Sequence, residues 1–406
     1  MPKPVYEYST DYLVKKKGIS VADCILFSIA DWDAQSWTNS QHTAVHLAKL
    51  GFRVLYVESI GLRAPTMNRR DLTRIWKRLK RGISAPRMVQ ERIWVFSPLV
   101  IPFKHNWAII RRLNQGILAW KLKKFIRKCG FNNPIVWVYH PFVLDALRSI
   151  PYKKLIYHCV DDLSAVPGID SIAFKNQEQR LLKRCDTVFV TTDVLYERCV
   201  KRNDRTYQFP NVVDLAHFSQ ARQPGRVLAQ LADIPHPRIG YIGALSDYKI
   251  DFELIFTLAV QHPSWHWILI GEEREGQQNA LVARLRLLPN IHFFRHQSYA
   301  VLPDYLRELD IGVIPSLLNA YTRAMFPMKY FEFLAAGLPI VATPLEFTRT
   351  HSAGLIIGQS APAFAEGIRR QLQRGRLTDQ EAEGFVGENT WEIRLKKMLR
   401  QADISV

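Results

Sequence analysis

The sequence predicts an α/β protein of two domains, each built on a parallel, doubly wound sheet. Short apolar strands alternate with helices along most of the 406 residues. The alternation breaks once, at 209–238, where several prolines and little periodicity indicate a linker. Alternation of this kind favours a parallel sheet with helices on both faces, and the length suits two or three cores. We therefore expect two Rossmann-like halves that bind ligands in the cleft between them.

The first domain is predicted over residues 1–210. Two helices are predicted, one at QHTAVHLAKLG (41–51), ended by Gly51, and one from Asp170 to Arg184. The predicted strands are short and rich in Val, Ile and aromatic residues, as buried strands are. They are CILFSIA (24–30), FRVLYVES (52–59), IVWVYHP (135–141), KLIYHCV (154–160) and DTVFVTT (186–192).

The second domain is predicted over residues 211–388, with a last helix in 389–406 that packs back on the first domain. That helix is WEIRLKKMLRQ (391–401). The predicted strands are RIGYIGAL (238–245), WHWILIG (265–271), NIHFFRH (290–296), IGVIPS (311–316) and LPIVAT (338–343). The predicted helices are DFELIFTLAVQHP (251–263), NALVARLRLLP (279–289), YAVLPDYLRELD (299–310) and the stretch from Phe326 to Gly337.

Basic residues are concentrated in one region. The net charge is +18, and residues 61–130 hold 18 Lys or Arg against two acidic residues. Basic, Trp-containing amphipathic patterns at 71–82 and 104–128 are typical of helices on an anionic membrane. They are equally compatible with ordinary domain helices whose apolar faces lie in the core. Nucleic acid is a third possible partner, but the region has no signature of an RNA- or DNA-binding module.

Cysteine usage and hydropathy bear on the compartment. The first 20 residues are polar, without the apolar core of a signal peptide, and no apolar run reaches the length of a membrane span. Five cysteines follow no pairing or metal-ligand spacing. We expect a cytoplasmic protein that lies peripherally on the inner face of the plasma membrane.

The stretch FPMKYFEFLAAGLPIVATP (326–344) indicates a binding site. Pro327 suits a first helical position and Gly337 the residue past the helix end. No Ser, Thr, Asp or Asn caps the start, and Lys329 lies in the first turn, where the helix dipole disfavours a cation. Lys329 and Glu332 are three residues apart and either form a surface ion pair or belong to a nucleotide site. Only a bound diphosphate explains both the absent cap and the lysine.

The same stretch resembles the donor-nucleotide signature of GT-B glycosyltransferases. Other motifs resemble that superfamily in order and spacing, over about residues 22–400: DWDAQSW, YHCVDDLS, CDTVFVTTDVLYERC, FPNVVD, IGYIGALSD, LIGEE, NIHFFRHQSYAVLPDYLRELDIGVIPS and ENTWEIRL. Within it, the chain resembles bacterial exopolysaccharide and teichuronic-type enzymes, including the xanthan glucuronosyltransferase.

The resemblance implies a GT-B fold, whose two domains face each other across a cleft, and a set of donor contacts. Lys329, beside Met328, would contact the donor pyrophosphate, and Glu332 the ribose. The remaining contacts implied are the backbone near Arg295, His296 and Gln297 at the uracil, and the loop Gly243, Ala244, Leu245, Ser246 at the phosphates. The donor is expected to be a UDP-sugar, with no cofactor and no metal.

The chain departs from the pattern of retaining GT-B enzymes at two places. Ala324 stands where many carry a second Glu, eight residues before the ribose Glu. Ala244 stands where they carry an Arg, and Lys249 is followed by Ile250 rather than Gly. Arg323 either supplies part of the missing phosphate charge or is an exposed loop arginine. These departures favour an inverting mechanism.

An inverting transferase needs a general base for the acceptor hydroxyl. Asp161 is the first candidate, because it follows the strand KLIYHCV and matches a Y-x-x-x-D-x-L-S frame of the xanthan-type enzyme. Asp162 is the alternative, and either residue could instead cap the following turn. Asp33 and His42, after the first strand, are the remaining candidates for the base, or they orient the acceptor.

The sequence DWD (31–33) has the D-x-D form that binds a metal in GT-A enzymes, but it lies far from the nucleotide signature. We therefore predict a glycosyltransferase that moves a sugar to a lipid-linked, polyprenyl-diphosphate acceptor in cell-envelope or exopolysaccharide synthesis, with an Asp base and without nucleic acid. The alternatives are a retaining GT-B transferase, a GT-B nucleotide-sugar epimerase and a non-catalytic basic protein that binds membrane or nucleic acid.

Overall fold

The computed structural model describes residues 22–34, 37–59, 86–98, 108–226, 228–273 and 279–405, with the side chains of 108–112 excepted. The chain divides into two compact units. The first comprises residues 1–190, 195–208 and 395–406, and the second comprises 191–194 and 209–394. The predicted basic helix at 71–82 lies outside the described residues.

Within the described residues, the first unit holds an eight-stranded sheet in the order β3-β4-β2-β1-β5-β6-β7-β8. All neighbouring strands are parallel except β3 and β4, which pair antiparallel at one edge. The strands are β1 Asp23–Phe27, β2 Arg53–Val57, β3 Arg87–Gln90, β4 Ile93–Phe96, β5 Ile135–Val138, β6 Lys154–Cys159, β7 Thr187–Val190 and β8 Thr206–Gln208.

Four helices accompany this sheet in the described sequence: α1 Asn39–Lys49, α2 Ala108–Cys129, α3 Ser171–Leu182 and α4 Asp193–Val200. The central strands are buried along their whole length, which explains their continuous apolar sequences. α1 begins with a capping box of Thr38 and Gln41, and the chain leaves it through Gly51 at φ +96°. Local sequence therefore defines both ends of this helix.

The described part of the second unit holds a six-stranded parallel sheet in the order β11-β10-β9-β12-β13-β14. This is the Rossmann order, which reverses between β9 and β12. The strands are β9 Arg238–Ile242, β10 His266–Ile270, β11 Ile291–Phe294, β12 Ile311–Ile314, β13 Ile340–Ala342 and β14 Leu355–Ile357.

The remaining helices follow in chain order, and several are a single turn. They are α5 Leu215–Phe218, α6 Ala229–Ala232, α7 Phe252–Gln261, α8 Ala280–Leu285, α9 Leu302–Arg307, α10 Ala320–Arg323, α11 Lys329–Ala335, α12 Ala361–Arg374, α13 Asp379–Val386 and α14 Trp391–Gln401. Two buried clusters pack on the two faces of the second sheet, one including Phe331 and Leu334, the other Trp267 and Ile368.

The predicted α/β class and its two parallel sheets are confirmed. The sequence did not predict β3, β4, β8 or β14, nor the helices α4, α12 and α13 and the single turns α5, α6 and α10. β3 and β4 lie in the basic region, where charge obscures the apolar pattern of Ile93–Phe96. Along the described sequence, no helix is long and apolar enough to span a membrane.

Candidate functional site

The loops that follow β9 and β12 meet where the strand order of the second sheet reverses. In open α/β sheets this is the place where ligands bind, beyond the carboxyl ends of the strands. The β9 loop starts at Gly243, which adopts φ +137°, and its amide donates to the Ile270 carbonyl at 2.9 Å. Gly271 approaches so closely that a Cβ there would lie 1.9 Å from the Gly243 carbonyl oxygen. These two glycines therefore allow the loops after β9 and β10 to approach each other closely.

Helix α11 begins at Lys329, two residues later than predicted, because Pro327 and Met328 precede the first helical residue. Met328 is the N-cap, and no side chain caps the first turn. The helix ends before Gly337, which adopts φ +77°. The Gly337 amide donates a hydrogen bond to the Leu334 carbonyl at 2.9 Å. The sequence therefore predicted both the uncapped start and the glycine end of this helix.

The Lys329 side chain packs against the backbone of Gly243. A Cβ added to Gly243 would lie 2.7 Å from Lys329 Nζ and 2.8 Å from Lys329 Cε. The ammonium also lies 5.0 Å from the centre of the Tyr241 ring, a cation–π distance. Any side chain at position 243 would displace the lysine, so the glycine and the lysine form one structural unit.

Lys329 carries a charge that the described protein does not neutralise. It forms no ion pair with any described residue, Glu332 included, and its ammonium packs against Gly243 and the Tyr241 ring. Burial lowers the pKa of Lys329, while the nearby Glu332 carboxylate opposes that shift. Burial also raises the pKa of Glu332 to about 7, against the Lys329 charge. Both groups are thus poorly solvated, which is typical of a site that binds a ligand.

Contacts of Lys249 and Asn319 join the β9 loop to the β12 loop. Lys249 lies 5.2 Å from the centre of the Tyr248 ring and 5.0 Å from that of Tyr321. Asn319 donates from Nδ2 to the Tyr248 carbonyl at 2.8 Å, and caps α10 with its Oδ1. Ser246 is buried, and its hydroxyl has no hydrogen-bond partner in the described structure. The loop is therefore held in place while retaining a polar group for a ligand.

The other predicted donor residues lie at the same edge of the second sheet or in its loops. His296 and Gln297 are half-buried just after β11, and the Gln297 amide donates to the Arg295 carbonyl at 3.1 Å. Ala244 and Leu245 follow Gly243, and Leu245 is buried in the core. Arg323 is exposed at the end of α10.

Ala324, where retaining enzymes often carry a second Glu, is 1% exposed. Its carbonyl accepts a hydrogen bond from Thr192 Oγ1 at 3.4 Å. A carboxylate buried at this position would need a hydrogen-bonding or ionic partner. Position 324 is therefore an apolar packing position.

In the first unit, Asp161 and Asp162 follow the carboxyl end of β6 and are both half-buried. Asp162 caps a short 3-10 helix, accepting from the Ser164 amide at 3.1 Å and the Ser164 hydroxyl at 2.6 Å. Arg198 pairs with the same carboxylate at 2.9 Å. The capping role weighed in the sequence therefore applies to Asp162, and Asp161 is the stronger candidate for the base.

Asp33 and His42, the remaining base candidates, lie in different environments, one exposed and one buried. Asp33 is exposed and forms an ion pair with Arg87. His42 is buried in α1, and its ring packs edge-on against Trp37 at a centroid distance of 5.2 Å. A solvated ion pair is a poor environment for a general base, so Asp33 is the weaker of the two.

His140 is a candidate that the sequence reasoning missed. It follows β5, next to the point where the strand order of the first sheet reverses between β1 and β5. It is 1% exposed, its Nδ1 has no hydrogen-bond partner in the described structure, and burial lowers its pKa to about 4. The only signal in the sequence was its place directly after a buried strand. A neutral, unpartnered imidazole at this edge is suited to a ligand hydroxyl.

Helix α2 covers most of the basic pattern at 104–128 and has two unlike faces. One face is core, with Leu118, Leu122 and Phe125 buried. The opposite face exposes Leu113 and Trp120, which are 52% and 59% exposed and seven residues apart. That face continues into exposed cations, at Lys123, Lys124, Arg127 and Lys128. The helix is therefore both a core helix and a surface helix with an apolar and basic face.

Part of the chain is similar to known glycosyltransferases. Residues 236–374 match the family described as Glycosyl transferases group 1. The putative teichuronic acid biosynthesis glycosyltransferase TuaH of Bacillus subtilis (strain 168) is 30% identical over 220 residues, 51% of this chain and 54% of that protein. The match spans about half the length of this curated relative. The described site, from Gly243 to Glu332, therefore lies within the stretch that matches this family model.

Solved structures match nearly the whole chain. Sucrose-phosphate synthase from Thermosynechococcus elongatus has a TM-score of 0.70 at 17% identity, covering 93% of this chain and 98% of its own. Anabaena Alr3699/HepE in complex with UDP and glucose has a TM-score of 0.61 at 15% identity, covering 94% and 99%. The GT-B fold is confirmed, and the chain is similar to a teichuronic-type glycosyltransferase, as the sequence predicted.

Proposed function

We propose that the protein transfers a sugar from a nucleotide-sugar, a UDP-sugar, to a lipid-linked saccharide. The observation that carries the donor half of this proposal is Lys329, whose charge lies unpaired against Gly243 at the start of an uncapped helix. A diphosphate would neutralise that charge, and its oxygens would accept hydrogen bonds from the first turn. UDP complexes among the structural neighbours support the same class of donor.

Glu332 is the proposed ribose contact. It lies one turn along α11 from Lys329, and an ionised carboxylate there would accept hydrogen bonds from the two ribose hydroxyls. Its raised pKa means that the free protein holds it partly protonated near neutral pH. Donor affinity is therefore expected to increase as the pH rises through about 7.

The proposed chemistry is a single displacement. The acceptor hydroxyl attacks the anomeric carbon from the face opposite the nucleotide, the new glycosidic bond forms, and the bond to the diphosphate oxygen breaks. Asp161 takes the hydroxyl proton, and Lys329 stabilises the negative charge that develops on the departing diphosphate. The apolar packing of Ala324 supports this inverting route, because the second acid of many retaining relatives has no counterpart there.

The proposed acceptor and cellular location rest on helix α2. Its exposed face combines Trp120 with cations, and Lys124 Nζ lies 5.6 Å from the centre of the Trp120 ring. Such a face binds the interface of an anionic membrane, with Trp at headgroup level and Lys on the phosphates. A protein on the inner face of the plasma membrane would meet polyprenyl-diphosphate acceptors there. The TuaH relative supports a role in the cell envelope.

The donor assignment is tested by a thermal-shift screen of UDP-sugars on the full chain. We expect UDP and at least one UDP-sugar to raise the Tm, by an amount that grows with ligand concentration as linkage requires. Lys329→Met should remove the shift, whereas Lys396→Met, the same change on the exposed face of α14, should keep it. A protein whose Tm responds to no UDP compound would contradict the assignment and favour a non-catalytic binding protein.

The pH dependence of UDP-sugar affinity tests the contribution of Glu332. UDP-sugar affinity should increase between pH 6 and pH 8 in the wild type, because the diphosphate diester does not titrate there and Glu332 does. In Glu332→Gln the affinity should be low and independent of pH over this range. A pH dependence that persists in the variant would assign the titration to another group.

The membrane assignment is tested by flotation with vesicles that contain anionic phosphatidylglycerol. We expect Trp120→Ala and the double variant Lys123→Ala, Lys124→Ala each to reduce binding about fivefold or more, and salt to weaken what remains. Ile172→Ala in α3 is the matched control, since Ile172 is 75% exposed in the same unit. Equal losses in all three variants, or none in the first two, would exclude α2 as the membrane contact.

A further inference from the structure

A cavity of about 540 Å³ lies at the amino-terminal edge of the first sheet. It stands beyond the starts of β6, β7 and β8, at the sheet edge opposite to Asp161 and His140. Its charged lining residues are Lys154, Lys183, Lys201, Arg202, Arg205, Asp186 and Asp204. The cavity is therefore separate from every residue assigned to sugar transfer.

The lining of this cavity is strongly cationic. Five Lys and Arg face two carboxylates, and one of these, Asp186, already accepts from the Leu155 amide at 2.7 Å. Lys183, Lys201 and Arg202 form no ion pair with any described residue. Like charges gathered in a concave surface raise its potential and attract anions.

Helix ends account for only part of this charge. Lys and Arg are common after helix C-termini, where they offset the dipole, and α3 and α4 both end at this edge. Here, however, Asn203 Nδ2 already donates to the carbonyls of Leu182 and Cys185, at 2.8 Å each. Lys154 and Arg205 stand at the starts of strands rather than at helix ends.

Two of the five cations are held by a carboxylate from the far end of the chain. Asp403 Oδ2 lies 3.2 Å from Lys154 Nζ and 2.6 Å from Arg205 Nη2. Asp403 follows α14, and its side chain is 61% exposed. The Nε of Arg205 is buried and has no acceptor in the described structure. An exposed carboxylate thus pairs with two cations of the cavity lining, and the Nε of one of them stays without an acceptor in the described structure.

We propose that this cavity binds a phosphate-bearing anion and that Asp403 is its intramolecular competitor. Guanidinium and ammonium groups in a concave site match the several oxygens and the charge of a phosphate or diphosphate. The ligand is either a soluble phosphate compound or the phosphate headgroup of a lipid. This binding does not depend on the donor site, which lies in the other unit.

The test uses inorganic pyrophosphate as the probe, titrated calorimetrically into full-length Lys329→Met protein so that the donor site is disabled. We expect one equivalent to bind. Lys201→Ala with Arg202→Ala should weaken binding about tenfold, and Arg369→Ala with Arg370→Ala, an equal change of charge on α12 in the other unit, should change it less than twofold. Asp403→Asn should strengthen binding several-fold, while Asp145→Asn, which removes one carboxylate elsewhere in the same unit, should not.

Equal weakening in the two double variants, or no gain in Asp403→Asn, would overturn the proposal. Absence of pyrophosphate binding together with an absence of any effect of Asp403→Asn on vesicle binding would also overturn it. Phosphatidylglycerol vesicles that displace bound pyrophosphate would identify a lipid headgroup as the source of the anion. Vesicles that leave it bound would identify a soluble phosphate compound.

Discussion

Lys329→Met should abolish measurable sugar transfer while leaving the protein folded. Methionine keeps most of the length of the lysine stem but removes the charge that is expected to hold the donor diphosphate. We expect kcat/KM to fall about 10²–10³-fold or more, as when one preorganised stabilising group is lost from an active site. The free energy of unfolding should change little, because burial already disfavours the charge of Lys329 and no ion pair is broken within the described structure.

Gly243→Ala tests the same site by a substitution that leaves the lysine itself in the sequence. The added methyl would lie 2.7 Å from Lys329 Nζ, and alanine disfavours φ +137°, so the ammonium must move. We expect loss of donor binding comparable to that of Lys329→Met. The control is Gly384→Ala in α13, where an added Cβ meets nothing within 4 Å. Wild-type transfer rates in Gly243→Ala would contradict the placement of the donor diphosphate.

Asp161→Asn should lower kcat about 10²–10⁴-fold and leave UDP affinity within twofold of the wild type. The asparagine keeps the shape of the side chain but cannot accept the proton of the acceptor hydroxyl. Donor binding should persist, because Asp161 is in the first unit and the donor residues are in the second. Rates are measured with saturating donor, and UDP affinity by calorimetry.

The neighbouring residue provides the control for this prediction. Asp162→Asn should retain turnover but lower stability by about 1 kcal/mol, since its carboxylate caps a turn and pairs with Arg198. A slow Asp162→Asn enzyme beside a normal Asp161→Asn enzyme would transfer the role of base to Asp162. A normal rate in both variants would leave His42 and His140 as the candidates for the general base.

Much of the proposed donor site could be predicted, from single residues or from the resemblance. Lys329 is conspicuous in a first helical turn, whereas Gly243 was indicated by the resemblance to GT-B enzymes. Physical rules about helix ends and strand ends act over a few residues, so one sequence is enough to apply them. The parallel sheets follow for the same reason, from alternating strands and helices.

The features that could not be predicted depend on contacts between distant residues. The sequence ranked Asp161 before Asp162 but could not show that the Asp162 carboxylate pairs with Arg198, which lies more than 30 residues along the chain. His140 is distinguished by burial without a partner, a property of the folded protein alone. The cationic cavity brings Lys154, Arg205 and Asp403 together from three parts of the chain.

The central claim, that the uncapped helix at Lys329 binds the donor of a sugar transfer, is tested most directly by product analysis. The full chain is incubated with the UDP-sugar found by thermal shift and with membrane lipid extract, and labelled product and released UDP are measured together. We predict one UDP released for each sugar found in the lipid fraction, inverted anomeric configuration by NMR, and neither product with Lys329→Met. Conversion of the UDP-sugar without any lipid acceptor, or transfer by Lys329→Met at the wild-type rate, would contradict the account.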